Sequence, residues 1–130
     1  MSSEEIYTEE AIFFFDSYAF FEILKANKNY NKYKVVQIVT TKLNLFELYF
    51  GVLREKGEKE AKETLDFYYP YIIEFDSSII EEAAKLKDKL NKRNVSMTDC
   101  IGYCTAISLG IKFLTGDKEF ENLDNVEFVK

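Results

Sequence analysis

Apolar and polar positions along this chain switch between two periods, and the switches divide it into strand-like and helix-like stretches. Residues 11–15 form an apolar run too short for a buried helix, which predicts a strand covered on both faces. Asp16 and Ser17 follow, both good residues for starting a helix, and residues 18–26 then carry apolar side chains at helical spacing. Residues 27–34 are polar and break the pattern. Residues 35–39 are rich in β-branched side chains and predict a second strand, after which Thr40 or Thr41 is placed to cap a helix running through Arg54. Past Gly57, residues 58–69 predict another helix, stopped by Pro70, the single proline.

Residues 71–75 predict a third strand. Residues 76–91 predict a long amphipathic helix with Ile79, Ile80, Ala83, Ala84, Leu86 and Leu90 on its inward stripe. Ser96 is placed to cap a helix reaching about Leu109 and closed by Gly110. Residues 111–114 predict a fourth strand, a short turn or helix starts at Asp117, and residues 126–129 predict the last strand. Parallel neighbours need crossover connections, so apolar strands alternating with helices imply α/β architecture. The expectation is a three-layer α/β/α sandwich around a mostly parallel sheet of about five strands. No repeat, low-complexity tract or Pro/Gly-rich linker interrupts the chain, so residues 1–130 are expected to form a single domain.

Composition narrows the chemistry. With 47% hydrophobic and 16% aromatic residues, 130 residues have ample material for a core. No apolar stretch approaches the ~18 residues of a membrane span. The opening residues carry Glu4, Glu5, Glu9 and Glu10 and lack the basic start and apolar centre of a secretory signal, so a cytoplasmic protein is expected. Cys100 and Cys104, four apart with helical character, read as small buried side chains rather than a disulfide. There is no histidine. That excludes Ser-His-Asp and Cys-His hydrolases and makes a zinc site hard to assemble, which leaves carboxylates, hydroxyls, Lys or Tyr and, if a metal takes part, hard cations. A net charge of −6 argues against a broad basic nucleic-acid surface, but not against a nuclease whose own carboxylates inflate the count.

Ligands of open parallel sheets bind at the carboxyl ends of strands, and two acids qualify there. Asp16 directly follows Phe13-Phe14-Phe15, and Asp117 follows Leu114-Thr115-Gly116. A plain helix cap would also account for Asp16, and a turn residue for Asp117. Glu47 lies within the apolar run Leu43 to Phe50, where Leu43, Asn44, Phe50 and Gly51 share its face and none is basic. A metal ion would compensate it, and so would a position at the helix rim. Asp99, three residues after Ser96, forms an acidic version of the capping box. On its face Gly102, Tyr103 and Ala106 leave room for something small to approach.

These acids and their surroundings resemble the PIN-domain family, and within it the VapC-type toxins. The matching segments are Phe13-Phe14-Phe15-Asp16-Ser17, then Glu47-Leu48-Tyr49-Phe50-Gly51. Next come Ser96-Met97-Thr98-Asp99 continuing to Ala106 and Leu109-Gly110, and finally Thr115-Gly116-Asp117-Lys118-Glu119-Phe120. They occur in the family's order over nearly the whole chain. The departures are small: Ser-Tyr follows Asp16 where Thr-Ser or Thr-Asn is frequent, and the two cysteines stand where Ala is commoner.

The resemblance implies a metal-dependent endoribonuclease in which Asp16, Glu47, Asp99 and Asp117 hold Mg²⁺ or Mn²⁺. Asp16 and Asp99 would be the principal ligands, with Ser17, Ser96 and Thr115 as supporting hydroxyls. It further implies an RNA substrate, a small antitoxin protein as inhibitor, and a homodimer, for which Tyr68, Tyr69 and Tyr71 around Pro70 could supply aromatic surface if they are not core. A PIN-type RNA-processing nuclease outside toxin–antitoxin systems and a non-catalytic PIN-like module remain alternatives.

Overall fold

The structure is a computed structural model and describes residues 6–130; the expectation drawn from Glu4 and Glu5 lies outside those residues. Four strands form one parallel sheet: β1 (Ile12–Phe15), β2 (Gln37–Val39), β3 (Lys112–Thr115) and β4 (Val126–Phe128), in the order β2-β1-β3-β4. The helices are α1 (Ser17–Leu24), α2 (Lys42–Lys56), α3 (Glu58–Tyr68), α4 (Ser77–Lys89) and α5 (Met97–Leu109).

Strand periodicity explains the layering. Phe13 and Phe15 point to one face of β1, into a core built with Ala19 and Phe20 of α1, Leu45, Leu48 and Val52 of α2, and Ala61 and Tyr68 of α3. Phe14 points to the other face, where Phe113 of β3 meets Ile79 and Ala83 of α4 and Ile101 and Ala106 of α5. Hence helices cover both faces, and the architecture is the expected α/β sandwich with four strands where about five were expected.

The missing strand is residues 71–75. Tyr69–Tyr71 closes as a 3-10 turn around Pro70, and the Ile72 amide is spent on the Tyr69 carbonyl. What remains is one parallel bridge, Thr40 to Ile72, before Asp76 caps α4 through the Ile79 amide. The polar stretch 27–34 also folds differently from its composition: Lys28–Tyr33 is a 3-10 helix that buries Tyr30 and Tyr33. On α4 the inward stripe is narrower than expected. Ile79, Ala83 and Leu90 are buried, whereas Ile80 is 52% exposed and Ala84 also faces out. Both cysteines are free thiols, Cys100 buried and Cys104 half-buried. Among the described residues no helix is long and apolar enough to cross a membrane.

Candidate active site

β1 lies between β2 and β3, so its carboxyl end opens at the point where the chain turns to opposite sides of the sheet. Asp16 occupies that point. It stands at the cap position of α1 and its carbonyl accepts the Ala19 amide, yet its side chain makes no capping hydrogen bond. The carboxylate turns inward instead, 2% exposed. Oδ2 accepts the Thr115 hydroxyl from the end of β3 at 2.7 Å, and Oδ1 is buried with no hydrogen-bond partner. A buried anionic oxygen left unpaired is costly, so this one marks a place where a cation or a proton belongs.

The electrostatics agree. Burial pushes the Asp16 carboxyl from 3.8 up to about 8, Asp99 and Glu47 add to the rise, and the Thr115 hydroxyl and Ser17 backbone amide pull against it. Burial likewise raises Asp99, with Asp117 and Glu47 contributing, against the stabilising hydrogen bonds of Ser96. Asp99 therefore feels the other three acids, and the four approach one another at the carboxyl end of the sheet. They do not close into a cage: among the described residues no three acidic or thiol side chains form a group that could by itself hold a metal ion. The fit to a hard cation rests on the orphaned Asp16 oxygen and on an all-oxygen donor set.

Each remaining acid is held by its own device. Asp99 completes a reciprocal capping box at the start of α5: its amide donates to Ser96 Oγ at 3.0 Å and its Oδ2 accepts the Ser96 amide at 2.8 Å. Asp117 begins a 3-10 turn, accepting the Glu119 amide on Oδ1 at 3.0 Å, while its own amide donates to the Thr115 hydroxyl. Thr115 thus joins Asp16 and Asp117. Gly116 between them is required by close approach: a Cβ there would lie 2.2 Å from the Val129 carbonyl oxygen and 2.3 Å from the Tyr18 ring. Glu47, half-buried on α2, accepts the Ser17 hydroxyl at 2.6 Å.

Behind Ser17 lies a network that the sequence reading did not assign. Asn44 is fully buried and donates to Ser17 Oγ at 3.1 Å, and its own Oδ1 accepts the Thr41 hydroxyl at 2.7 Å. Thr41 also caps α2. The signal was present in an amide set among Leu43, Leu45 and Phe46, on the same face as Glu47. Such an amide inside a helix needs partners and points toward whatever it orients. In the opposite sense, the space expected beside Asp99 is not open. A Cβ on Gly102 would lie 2.9 Å from the Phe14 ring and 3.2 Å from the Phe113 ring, and Tyr103 and Ala106 are buried. The small residues of α5 let the helix settle on the sheet and offer no approach for a ligand.

Comparison with known proteins adds the family. The PIN-domain model matches residues 13–126. This chain belongs to the PIN-domain family. No curated protein matches it significantly. Among solved structures it is similar to VapC20 of Mycobacterium tuberculosis, described as a toxin that cleaves the sarcin–ricin loop. That likeness has 17% identity and a TM-score of 0.75, covering 92% of this chain and all of the other. VapBC2 of Rickettsia felis, solved with promoter DNA, is 20% identical with a TM-score of 0.69, over 92% of this chain and 99% of that one. A toxin–antitoxin complex from Klebsiella pneumoniae gives 17% identity and a TM-score of 0.68, over 90% and 95%. At these identities the shared property is the fold of PIN-domain toxins.

Proposed function

We propose that this PIN domain is an endoribonuclease that works with Mg²⁺ or Mn²⁺, that it is the toxin of a type II toxin–antitoxin pair, and that Asp16, Glu47, Asp99 and Asp117 form its catalytic centre. The observation that carries the reading is the buried Asp16 oxygen with no partner, on a carboxyl that Asp99 and Glu47 raise further, with Asp117 acting in turn on Asp99. Asp16 and Asp99 would hold the ion most directly, with Glu47 and Asp117 as further ligands or as positioners of water. A bound divalent cation supplies neutralisation of charge at the scissile phosphate and activation of the attacking water. The chain's own hydroxyls keep the acids in place: Thr115 aims Asp16, and Ser17, backed by Asn44, aims Glu47. Ser96 fixes Asp99 at the positive end of α5.

Support for the partner comes from the structural neighbours solved as toxin–antitoxin complexes. An antitoxin would silence the site by placing a cationic side chain among these carboxylates, and a homodimer is the expected resting assembly. The test is twofold. Purified protein should cleave structured RNA with Mg²⁺ or Mn²⁺ and stop with EDTA, and full activity of Asp99→Asn in matched, folded protein would sink the mechanism. Cells overproducing the chain alone should stop growing and recover when a co-encoded small partner is supplied. Unimpeded growth with active protein present would instead favour RNA processing outside toxin–antitoxin systems.

A further inference from the structure

The group of acids at the carboxyl end of the sheet has a cationic shoulder. Between residues 87 and 93 the chain places Lys87, Lys89, Lys92 and Arg93 against a single acid, Asp88, in a protein of net charge −6. The stretch is the end of α4 and the loop toward α5, and all four cations are exposed. Two contacts tie it to the site. Lys87 Nζ donates to the Val95 carbonyl at 2.8 Å, next to the Ser96 cap that holds Asp99. An Arg93 guanidinium nitrogen donates to the Glu119 carbonyl at 2.8 Å, and the Glu119 amide is the one bonded to Asp117. Lys118, also exposed, lies on that same turn.

Among the described residues none of these five cations is paired with an acid, since the ion pairs there use Lys25, Lys42, Lys56, Lys62 and Lys85. Their charge is available to an external anion. A polyanion approaching four carboxylates is repelled, and a compensating attraction beside them must overcome that repulsion before any phosphodiester reaches Asp16. Lysines flanking an arginine in one short stretch provide point charges and a donor fork matched to phosphate oxygens.

Building on the nuclease reading above, we propose that Lys89, Lys92 and Arg93, flanked by Lys87 and Lys118, form a phosphate-binding strap. It holds the RNA backbone against the group of acids and recognises charge rather than base sequence. These are positioning residues. The other cationic run, Lys25, Lys28, Lys32 and Lys34, provides the control. Lys25 pairs with Glu22, Lys32 lies over the Tyr7 and Tyr33 rings, and Lys28 and Lys34 are exposed without a hydrogen bond to any loop bearing a site acid.

The experiment is fluorescence anisotropy of the full chain with a labelled single-stranded RNA of mixed sequence, in EDTA at several salt concentrations, paired with cleavage kinetics on structured RNA in Mn²⁺. Lys89→Ala/Lys92→Ala should weaken binding about tenfold at low salt and flatten the log–log salt slope by roughly 1.4, at ~0.7 per lost phosphate contact on a single strand. KM should rise while kcat is kept. Because Arg93 also braces the turn through Glu119, Arg93→Lys is paired with Arg93→Ala: the lysine variant should retain most binding and the alanine variant should not. Lys28→Ala/Lys34→Ala should match wild type. Unchanged slopes in both strap variants, or an equal loss in the control, would overturn the strap even if wild type cleaves. Strap-dependent binding without any cleavage would sink the nuclease reading and leave the strap standing, and a wild type that neither binds nor cleaves RNA would remove both.

Discussion

Two carboxylates on this sheet receive opposite treatment. Glu127, in the middle of β4, accepts the hydroxyls of Tyr7 at 2.6 Å and Tyr33 at 2.5 Å, with Lys32 over both rings. Burial and the bond to Glu127 hold the Tyr33 phenol well above its usual pKa, so it remains a donor. Asp16, at the end of β1, is buried more deeply and receives one hydroxyl on one oxygen. A structural acid is surrounded until its charge is spread over donors. One left half-served, beside other acids, is kept for something that is not part of the chain.

The largest effect that separates them is catalytic. Asp16→Asn should cost more than the roughly 10–100-fold typical of a group that only orients a ligand, while Glu127→Gln should keep near-normal turnover; RNA cleavage in Mn²⁺ measures both. Equal losses would break the contrast. Next in size is the response to metal. Mn²⁺ at about a hundred times its dissociation constant should stabilise wild type and Glu127→Gln by ~2.7 kcal/mol and Asp16→Asn or Asp99→Asn far less. Thermal melts with and without EDTA test it, and equal shifts in all four proteins would show that these acids do not hold the ion.

Stability without metal should move in opposite directions. Glu127→Gln gives up a charged acceptor shared by two phenols and should cost about 1–2 kcal/mol. Asp16→Asn removes a buried, repelled carboxyl and should gain about 1 kcal/mol; its side chain makes no capping bond, so α1 is not weakened in exchange. The smallest and sharpest effect is the pH dependence of that gain. The folded state raises the Asp16 carboxyl from 3.8 to about 8, so folding favours its protonated form. Stability is then lost as pH climbs through that interval, and the Tm advantage of Asp16→Asn in EDTA should grow from about pH 4 to about pH 8 and level off above it. A constant advantage would mean that the buried charge is not its source.

Much of this contrast was legible in the chain itself, because strands ending in Asp and helices announced by Thr41, Asp76 and Ser96 are local signals. Ser96 caps α5 as expected, Thr41 is the member of the Thr40–Thr41 pair that caps α2, and Asp76, expected as the first residue of its helix, is the cap of α4. What escaped was decided by tertiary context. Residues 71–75 have strand composition, but the turn at Pro70 leaves them one bridge long. Tyr30 and Tyr33 are buried from a stretch that is polar on average, because their hydroxyls reach Val129 and Glu127 across the fold. The tyrosines around Pro70 divide in the same way: Tyr68 packs on Phe20 while Tyr69 is 52% exposed. Around the site, the order of the four acids was readable, whereas the Ser17–Asn44–Thr41 relay and the filling of the Gly102 notch by Phe14 and Phe113 depend on elements that meet only in three dimensions.

The bond from Thr115 to Asp16 spans 99 positions of sequence, and the one from Tyr7 to Glu127 spans 120. During synthesis β1 emerges early and waits without its neighbour until β3 has been made, since β1 pairs with β3 in the centre of the sheet. Asp16 cannot be aimed before then, and Asp117 does not yet exist. A partly made chain that lacks β3 and Asp117 therefore has no assembled acidic centre, so the site forms late, by long-range pairing and not by local folding.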